Sequence, residues 1–331
     1  MADYTDKPFG LICRKYSGRN FVIFKEMVSA EALVRGNIKT LKMCEFVPAE
    51  RPLIIQIFGD KSKVMAEAAK LVEKRFKPDG IDLNMGCPVP KIAQKGLSGA
   101  ALMKNPTLVA NIVKSVKKAV KLPVSVKTRL GWSNSDEIIK FAVIVEKAGA
   151  DLITIHGRTK VQSYSGVADW EQIAKVKKIL KIPVIANGDV VDKASAKKCL
   201  DITKADGIMI GRGALGKPWI FSEITRLQDY KKCHPREGGD PGKLATGFSL
   251  GGLPDLLVVR AGGNDKIEDI CKIVLEHAKL HEKHYGQGSL VTFRKHLGLY
   301  FKGIPHIKDL RTRLMQVKEY GELKKILKNI K

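Results

Sequence analysis

No two of the six cysteines in this chain stand in a CxxC pair, so the sequence offers neither a zinc-binding pattern nor a disulfide framework. Cys13, Cys44, Cys199 and Cys271 read as ordinary packed thiols. The opening MADYTDK lacks a basic region followed by an apolar stretch, so no secretory signal peptide is expected. No apolar run approaches the length that spans a bilayer. The expectation is a cytoplasmic protein in a reducing compartment, without membrane association and without a bound metal. Acidic residues are scarce: 34 Asp and Glu stand against 59 Lys and Arg, a net charge of +25. That imbalance points to a polyanionic partner, nucleic acid first. Runs such as KSVKKAVK (114–121) and KVKKILK (175–181) have the plainer reading of solvated helix faces. Residues 265–331, however, carry 15 Lys and Arg against 8 Asp and Glu and five of the seven histidines. This segment is basic in its own right, so nucleic acid is favoured.

What is present is a regular alternation. Short β-rich runs alternate with helical patterns from residue 21 to about 230. The strands read FVIFKEMV (21–28), LIIQIFG (53–59), GIDLNMG (80–86), PVSVKTRLG (123–131), ADLITIHGR (150–158), IPVIANGD (182–189) and ADGIMIGRG (205–213). Such βα units build a parallel sheet. Residues 231–264 break the pattern. They are rich in Gly and Pro and read as an inserted, exposed linker. From 265 onward helical periodicity returns. The expected organisation is a barrel over 1–230, the linker over 231–264 and a small, basic helical domain over 265–331.

Parity decides between a closed barrel and an open sheet. Gln56 shares a strand face with Ile54 and Phe58, and Asp82 with Asn84 and Gly86. Likewise Ser125, Lys127 and Arg129 share a face, as do Thr154, His156 and Arg158. The opposite faces carry Leu83, Val126, Ile153 and Ile155. Burying the charged face under helices would be costly. In a (β/α)8 TIM barrel that face is the interior, and the polar residues gather at the C-terminal mouth. The first strand of such a barrel is expected to be largely missing at the N-terminus, with Met1 and Ala2 as its tip. Thr5 and Asp6 offer capping oxygens for the helix that follows.

The strand ends suggest the chemistry. IDLNMGCP (81–88) sets Cys87 between Gly86 and Pro88, where a thiol can give a proton to something lying over the barrel mouth. GRGALG (211–216) matches GxGxxG, but after the last strand rather than the first. In a barrel the loops at this position bind phosphate through backbone N–H groups. Asn187, Gly188 and Asp189 end the neighbouring strand, and Arg212 adds charge beside Gly211. A phosphate there and a flat ring across the mouth suit FMN. Gln56 offers paired amide bonds to the ring's polar edge. Lys127 and His156 can stabilise an edge that becomes anionic on reduction. Arg158, further along the His156 face, is assigned to substrate.

The strings TDKPF (5–9), IDLNMGCPVPKI (81–92), GLSGAALM (96–103), VSVKTRLGW (124–132), TIHGRT (154–159), IPVIANGD (182–189) and MIGRGALGKPWIF (209–221) together resemble a bacterial B-type tRNA-dihydrouridine synthase. RKHLGLY (294–300) continues the likeness more weakly, and 231–264 lies outside it. The resemblance implies reduction of the 5,6 double bond of a tRNA uridine. Hydride would pass from reduced FMN to carbon 6, with Cys87 protonating carbon 5 and NADPH or NADH as the reductant. It implies flavin-binding roles for Gln56, Lys127, Asn187, Gly188, Asp189, Gly211 and Arg212. Met1 and Ala2 are what remains of a flavin-contacting motif. Asn84 and His156 match residues of the base pocket. Arg294 and Lys295, with His296 beside them, are expected to touch tRNA phosphates. The chain is expected to act as a monomer. The alternatives are a flavin barrel acting on a free pyrimidine, similar to a dihydroorotate dehydrogenase, or a truncated tRNA-binding protein without catalysis.

Overall fold

In the computed structural model, residues 3–93, 97–225, 267–304 and 308–330 are described. Met1, Ala2 and the linker 231–264 fall outside them. Seven strands form: β1 Ile23–Ser29, β2 Leu53–Phe58, β3 Gly80–Met85, β4 Val124–Arg129, β5 Leu152–His156, β6 Val184–Asn187 and β7 Gly207–Met209. They pair in chain order, each parallel to the next. Each connection carries helix to the outer face. The result is a curled, partly closed barrel in which all seven strands stand where the sequence pattern placed them. Among the described residues no ladder joins β7 to β1.

The principal helices are α1 Lys7–Ser17, α2 Ser62–Phe76, α3 Pro106–Ala119, α4 Glu137–Lys147, α5 Trp170–Ile179 and α6 Lys193–Thr203, then α7 Ile267–Tyr285, α8 Leu290–Tyr300, α9 Lys308–Leu314 and α10 Tyr320–Lys328. Their starts are chemically specified. Asp6 caps α1, its Oδ1 accepting from Phe9 N at 2.9 Å. Asn105 caps α3 through Leu108 N at 3.0 Å, with Pro106 in the first turn. The strand faces turned toward the helices are apolar. Ile55, Ile57, Ile81, Leu83, Val126, Ile153 and Ile155 are completely buried.

The last four helices are not a separate ball. Their apolar residues, Val274, Phe293, Leu297 and Phe301 among them, belong to the same contiguous buried cluster as the barrel core. The seam lies along α1, where Tyr16 Oη donates to Glu276 Oε2 at 2.7 Å and Lys15 pairs with the other oxygen at 2.7 Å. No described helix is long and apolar enough to cross a membrane. One irregularity escapes the sequence pattern. The β1–β2 register shifts between Phe24 and Met27, and this bulge buries two successive charges, Lys25 and Glu26.

Candidate active site

The register of the ladder stacks the polar strand residues in successive rows. Gln56 lies opposite Asp82, Asn84 opposite Lys127, Lys127 opposite Thr154, and His156 opposite Asn187. Because strand side chains alternate, these groups all enter the interior. At the bottom of the cluster Asp82 is completely buried. It accepts from Ser125 Oγ at 2.5 Å and from Gln56 Nε2 at 2.5 Å. Burial raises its pKa to about 6, against the pull of those two bonds.

Above it, Gln56 Oε1 accepts from Asn84 Nδ2 at 2.8 Å. Both ends of the Gln56 amide are therefore already engaged within the protein. Each keeps only a second proton or lone pair for a ligand. Asn84 Oδ1 accepts from the backbone N–H of Gly86 at 3.2 Å and of Cys87 at 3.0 Å. This turn fixes where the thiol stands. Two glycines complete the packing. A Cβ on Gly86 would come within 3.0 Å of the Thr128 backbone. A Cβ on Gly99, at φ +59°, would come within 2.8 Å of the Cys87 carbonyl oxygen. Cys87 is half-buried, and burial pushes its thiol upward against the pull of Arg129 and Lys127, so it stays protonated.

Lys127 Nζ donates to Asn187 Oδ1 at 3.0 Å, and Asn187 Nδ2 donates to Met209 O at 2.8 Å. Burial and the neighbouring Arg129 lower the Lys127 ammonium to about 8. His156 is lowered to about 2, by burial first and then by Lys127, Arg129 and Arg158. Charge on His156 is therefore disfavoured, so the anionic-edge role read for it from the sequence would rest on a ring N–H rather than on an imidazolium. Its Nε2 sits 3.3 Å from Arg158 Nη1, which can only donate, so the remaining ring proton is assigned to Nδ1.

The loops at the mouth are tied together by arginines. Arg129 donates to Gly86 O at 2.8 Å and to Thr159 O and Ser163 O at 3.0 and 2.7 Å. Arg158 Nη2 reaches both Asp189 oxygens, at 2.9 and 2.7 Å, and Asp189 also accepts from Ala168 N at 2.7 Å. Arg158 and Asp189 are thus spent mainly on loop architecture. Arg212 is exposed, 3.7 Å from Asp189 Oδ1 and 4.9 Å from the centre of the Tyr164 ring. Gly188 has φ +121°, and a Cβ there would press within 3.0 Å of the His156 ring. Gly213 serves close loop packing, since its Cβ would overlap Val190 O at 2.2 Å. Gly211 leads directly into the turn Arg212–Ala214.

Sequence reading missed Tyr164, Trp132 and Lys104. Tyr164 is 54% exposed in the loop after β5, near Val161 and Val167, which are 62% and 78% exposed. The centre of the Trp132 ring is 3.6 Å from Lys104 Nζ and 4.4 Å from Lys160 Nζ. No periodic signal marks such loop residues; only their adjacency to strand ends does. Arg294 and Lys295 lie on α8. Arg294 donates to Val317 O and Gln316 O, both at 2.8 Å, and Lys295 is half-buried with Nζ 5.6 Å from the centre of the Tyr4 ring. His296, expected beside them at the surface, is buried.

Parallel-barrel enzymes share this architecture. Histamine dehydrogenase from Rhizobium sp. 4-9 superposes with a TM-score of 0.51 at 12% identity, over 70% of this chain and 43% of that one. A 2-naphthoyl-CoA reductase gives 0.51 at 14%, over 68% of this chain and 47% of that one. The chain spans less than half the length of either protein, and at these identities the likeness concerns the fold alone. Sequence goes further. The family model for dihydrouridine synthase matches residues 1–331. A probable tRNA-dihydrouridine synthase 1 of Synechocystis sp. is 37% identical over 99% of this chain and 83% of its own length. A probable tRNA-dihydrouridine synthase of Rhodobacter capsulatus is 42% identical over 91% and 84%. The chain belongs to the dihydrouridine synthase family. The family is that of the enzymes that form dihydrouridine.

Proposed function

We propose that the chain reduces the 5,6 double bond of a tRNA uridine with FMN as the flavin and NADPH, or NADH, as the reductant. When bound, FMN supplies the hydride that reaches carbon 6. Residues 1–230 provide the chemistry and 265–331 assist tRNA binding; the chain acts as a monomer in the cytoplasm. The observation that carries this reading is the Asn84–Cys87 turn, which holds a protonated thiol at the end of β3 on the same side as the buried polar cluster.

The residues present fit a flavin. Lys127 is a half-buried ammonium held by a neutral amide oxygen, and an anionic ring edge would complete its environment. Gln56 keeps one proton and one lone pair for the ring's polar edge. Asn187 orients Lys127, while Gly188, Gly211 and Arg212 offer backbone N–H groups and charge for the phosphate. Asp189 positions Arg158 and Arg212 rather than meeting the ring.

Cys87 donates its proton to carbon 5 of the base, and being half-buried it can regain one from solvent. Asn84 and His156 face the base. A neutral His156 with its proton on Nδ1 can give a hydrogen bond without demanding a counter-charge. The base must leave the tRNA stack to enter. Tyr164, with Arg129 and Arg212 near its ring, offers a stacking surface at the opening.

The test is Cys87→Ala with tRNA lacking dihydrouridine. FMN content and bleaching of the flavin by NADPH are expected to persist. Dihydrouridine formation is expected to fall roughly 10²-fold or more, as for loss of a positioned general acid. Undiminished formation would move the proton donor elsewhere. A well-folded parent without FMN would end the cofactor assignment.

A further inference from the structure

The seam between α1 and the last helices contains a group of side chains that the reaction does not use. Asp6, His277 and His296 present one carboxylate oxygen and two ring nitrogens within 4.8 Å of one another. They come from three elements: the cap of α1, the middle of α7 and the middle of α8. All three are buried, at 6%, 0% and 1% exposure. His281, also 1% exposed, places Nδ1 4.0 Å from Asp6 Oδ2.

Buried ring nitrogens here lack hydrogen-bond partners among the described residues: His277 Nε2, His281 Nδ1 and both nitrogens of His296, of which one can serve as a donor to a shared point. The outer nitrogens of two of these rings are fixed. His277 Nδ1 meets Tyr300 Oη at 2.9 Å, and His281 Nε2 meets Thr292 Oγ1 at 2.9 Å. That is the arrangement by which a ligating imidazole is held by an outer partner while the other nitrogen points inward. Asp6 is held as well, through Phe9 N on one oxygen and Tyr285 Oη on the other at 3.1 Å. Burial keeps the three imidazoles neutral, the form that ligates. Packing alone explains the shape of the site, since His296 stacks on Phe9 at 5.8 Å and meets Tyr4 edge-on at 5.4 Å. It does not explain unpartnered buried ring nitrogens of His277 and His296 gathered with a buried carboxylate, and a third from His281 4.0 Å from that carboxylate.

We propose that Asp6, His277 and His296, with His281 as a fourth donor, bind a first-row divalent cation that clips α1 to α7 and α8. This departs from the expectation of no metal drawn from cysteine spacing, because the donors here are imidazole and carboxylate, with Asp6 at the other end of the chain from the histidines. Nitrogen and oxygen donors of this kind suit Zn²⁺. The donors must draw inward, since donors around tetrahedral zinc stand about 3.3 Å apart for bonds of about 2.0 Å. The buried carboxylate of Glu26 favours the cation and Lys295 opposes it; both interact electrostatically with Asp6.

The experiment uses full-length protein in a Cys87→Ser, Cys233→Ser background, which removes the half-buried thiol at the barrel mouth and the cysteine of the linker as rival zinc sites. The protein is stripped with chelator, titrated with ZnCl2, desalted and assayed for zinc. One Zn²⁺ per chain, a raised melting temperature and a zinc X-ray absorption spectrum showing only N and O donors are expected. His296→Ala should weaken binding about a hundredfold or more. His281→Gln is the milder variant if His296→Ala does not fold, and it should also weaken binding. No retained zinc and no thermal shift in the parent would overturn the proposal. So would sulfur donors in the spectrum, or undiminished zinc binding in a folded variant.

Discussion

Asp82 and His156 are buried in the same barrel mouth with opposite consequences for pH. Asp82 is raised by burial from 3.8 to about 6, so the folded chain holds a proton that the unfolded chain releases above 3.8. On its own it stabilises the fold at low pH, and that contribution is lost as pH rises through 6. His156 is lowered by burial and neighbouring cations from 6.5 to about 2, so the unfolded chain takes up a proton that the folded chain refuses. Its contribution is present above 6.5 and is lost as pH falls. Between pH 4 and 6 the two slopes oppose each other, each being about 1.4 kcal/mol per pH unit at most. Asp82→Asn removes one of them. The variant's unfolding free energy should therefore fall more steeply than the parent's from pH 6 to 4, by about 1.4 kcal/mol per unit. Parallel pH profiles from denaturant titrations would show that Asp82 is not protonated in the fold. At this scale the sequence revealed which residues share the interior, because a strand's period of two is a geometric rule. It could not reveal that Gln56 and Asn84 are engaged with each other, or that Arg158 and Asp189 serve the loops. Those facts depend on contacts between strands.

Among the elements, α8 shows what a linear reading leaves out. Arg294 looked like a phosphate ligand because it stands in a basic segment. In the fold its guanidinium ties α8 to the turn between α9 and α10 through two carbonyl oxygens. Bonds of a charged donor to neutral acceptors contribute about 1.5–3 kcal/mol each. Arg294→Ala should accordingly lower the unfolding free energy by about 2 kcal/mol or more. The salt dependence of tRNA binding should barely change. A flattened salt dependence with unaltered stability would restore the phosphate role. The seven strands and the cap of α1 were legible because their determinants are local: alternation, and an Asp three residues before Phe9. The β1 bulge was not, since adjacent Lys25 and Glu26 within a strand give no sign that both are buried. Nor was the histidine seam. Its members read as part of a basic tail until the packing of α7 and α8 on α1 brought His277 and His296 to Asp6.

For the whole molecule, the net charge of +25 says that tRNA is attracted but not where it rests. Many cations coat the outer helices, and some are locally compensated: Lys117 pairs with Asp151 at 2.6 Å and Lys177 with Asp206 at 2.7 Å. Charges there lie far from a nucleotide entering the mouth, and screening at physiological salt has a length of about 8 Å. Lys104 and Lys160 are placed differently, beside Trp132 in loops that follow the C-terminal ends of β3, β4 and β5. A base that reaches Cys87 must bring its flanking phosphates past this rim. Each phosphate contact releases condensed counterion, and its loss flattens the slope of log K against log salt by about 0.7–0.9. Lys160→Ala should show that change. Lys178→Ala, an exposed lysine on α5, should weaken binding only slightly and leave the slope unaltered. Binding isotherms at four salt concentrations separate the cases. Equal effects from the two variants would mean that a diffuse field carries the affinity and that tRNA does not dock across this rim.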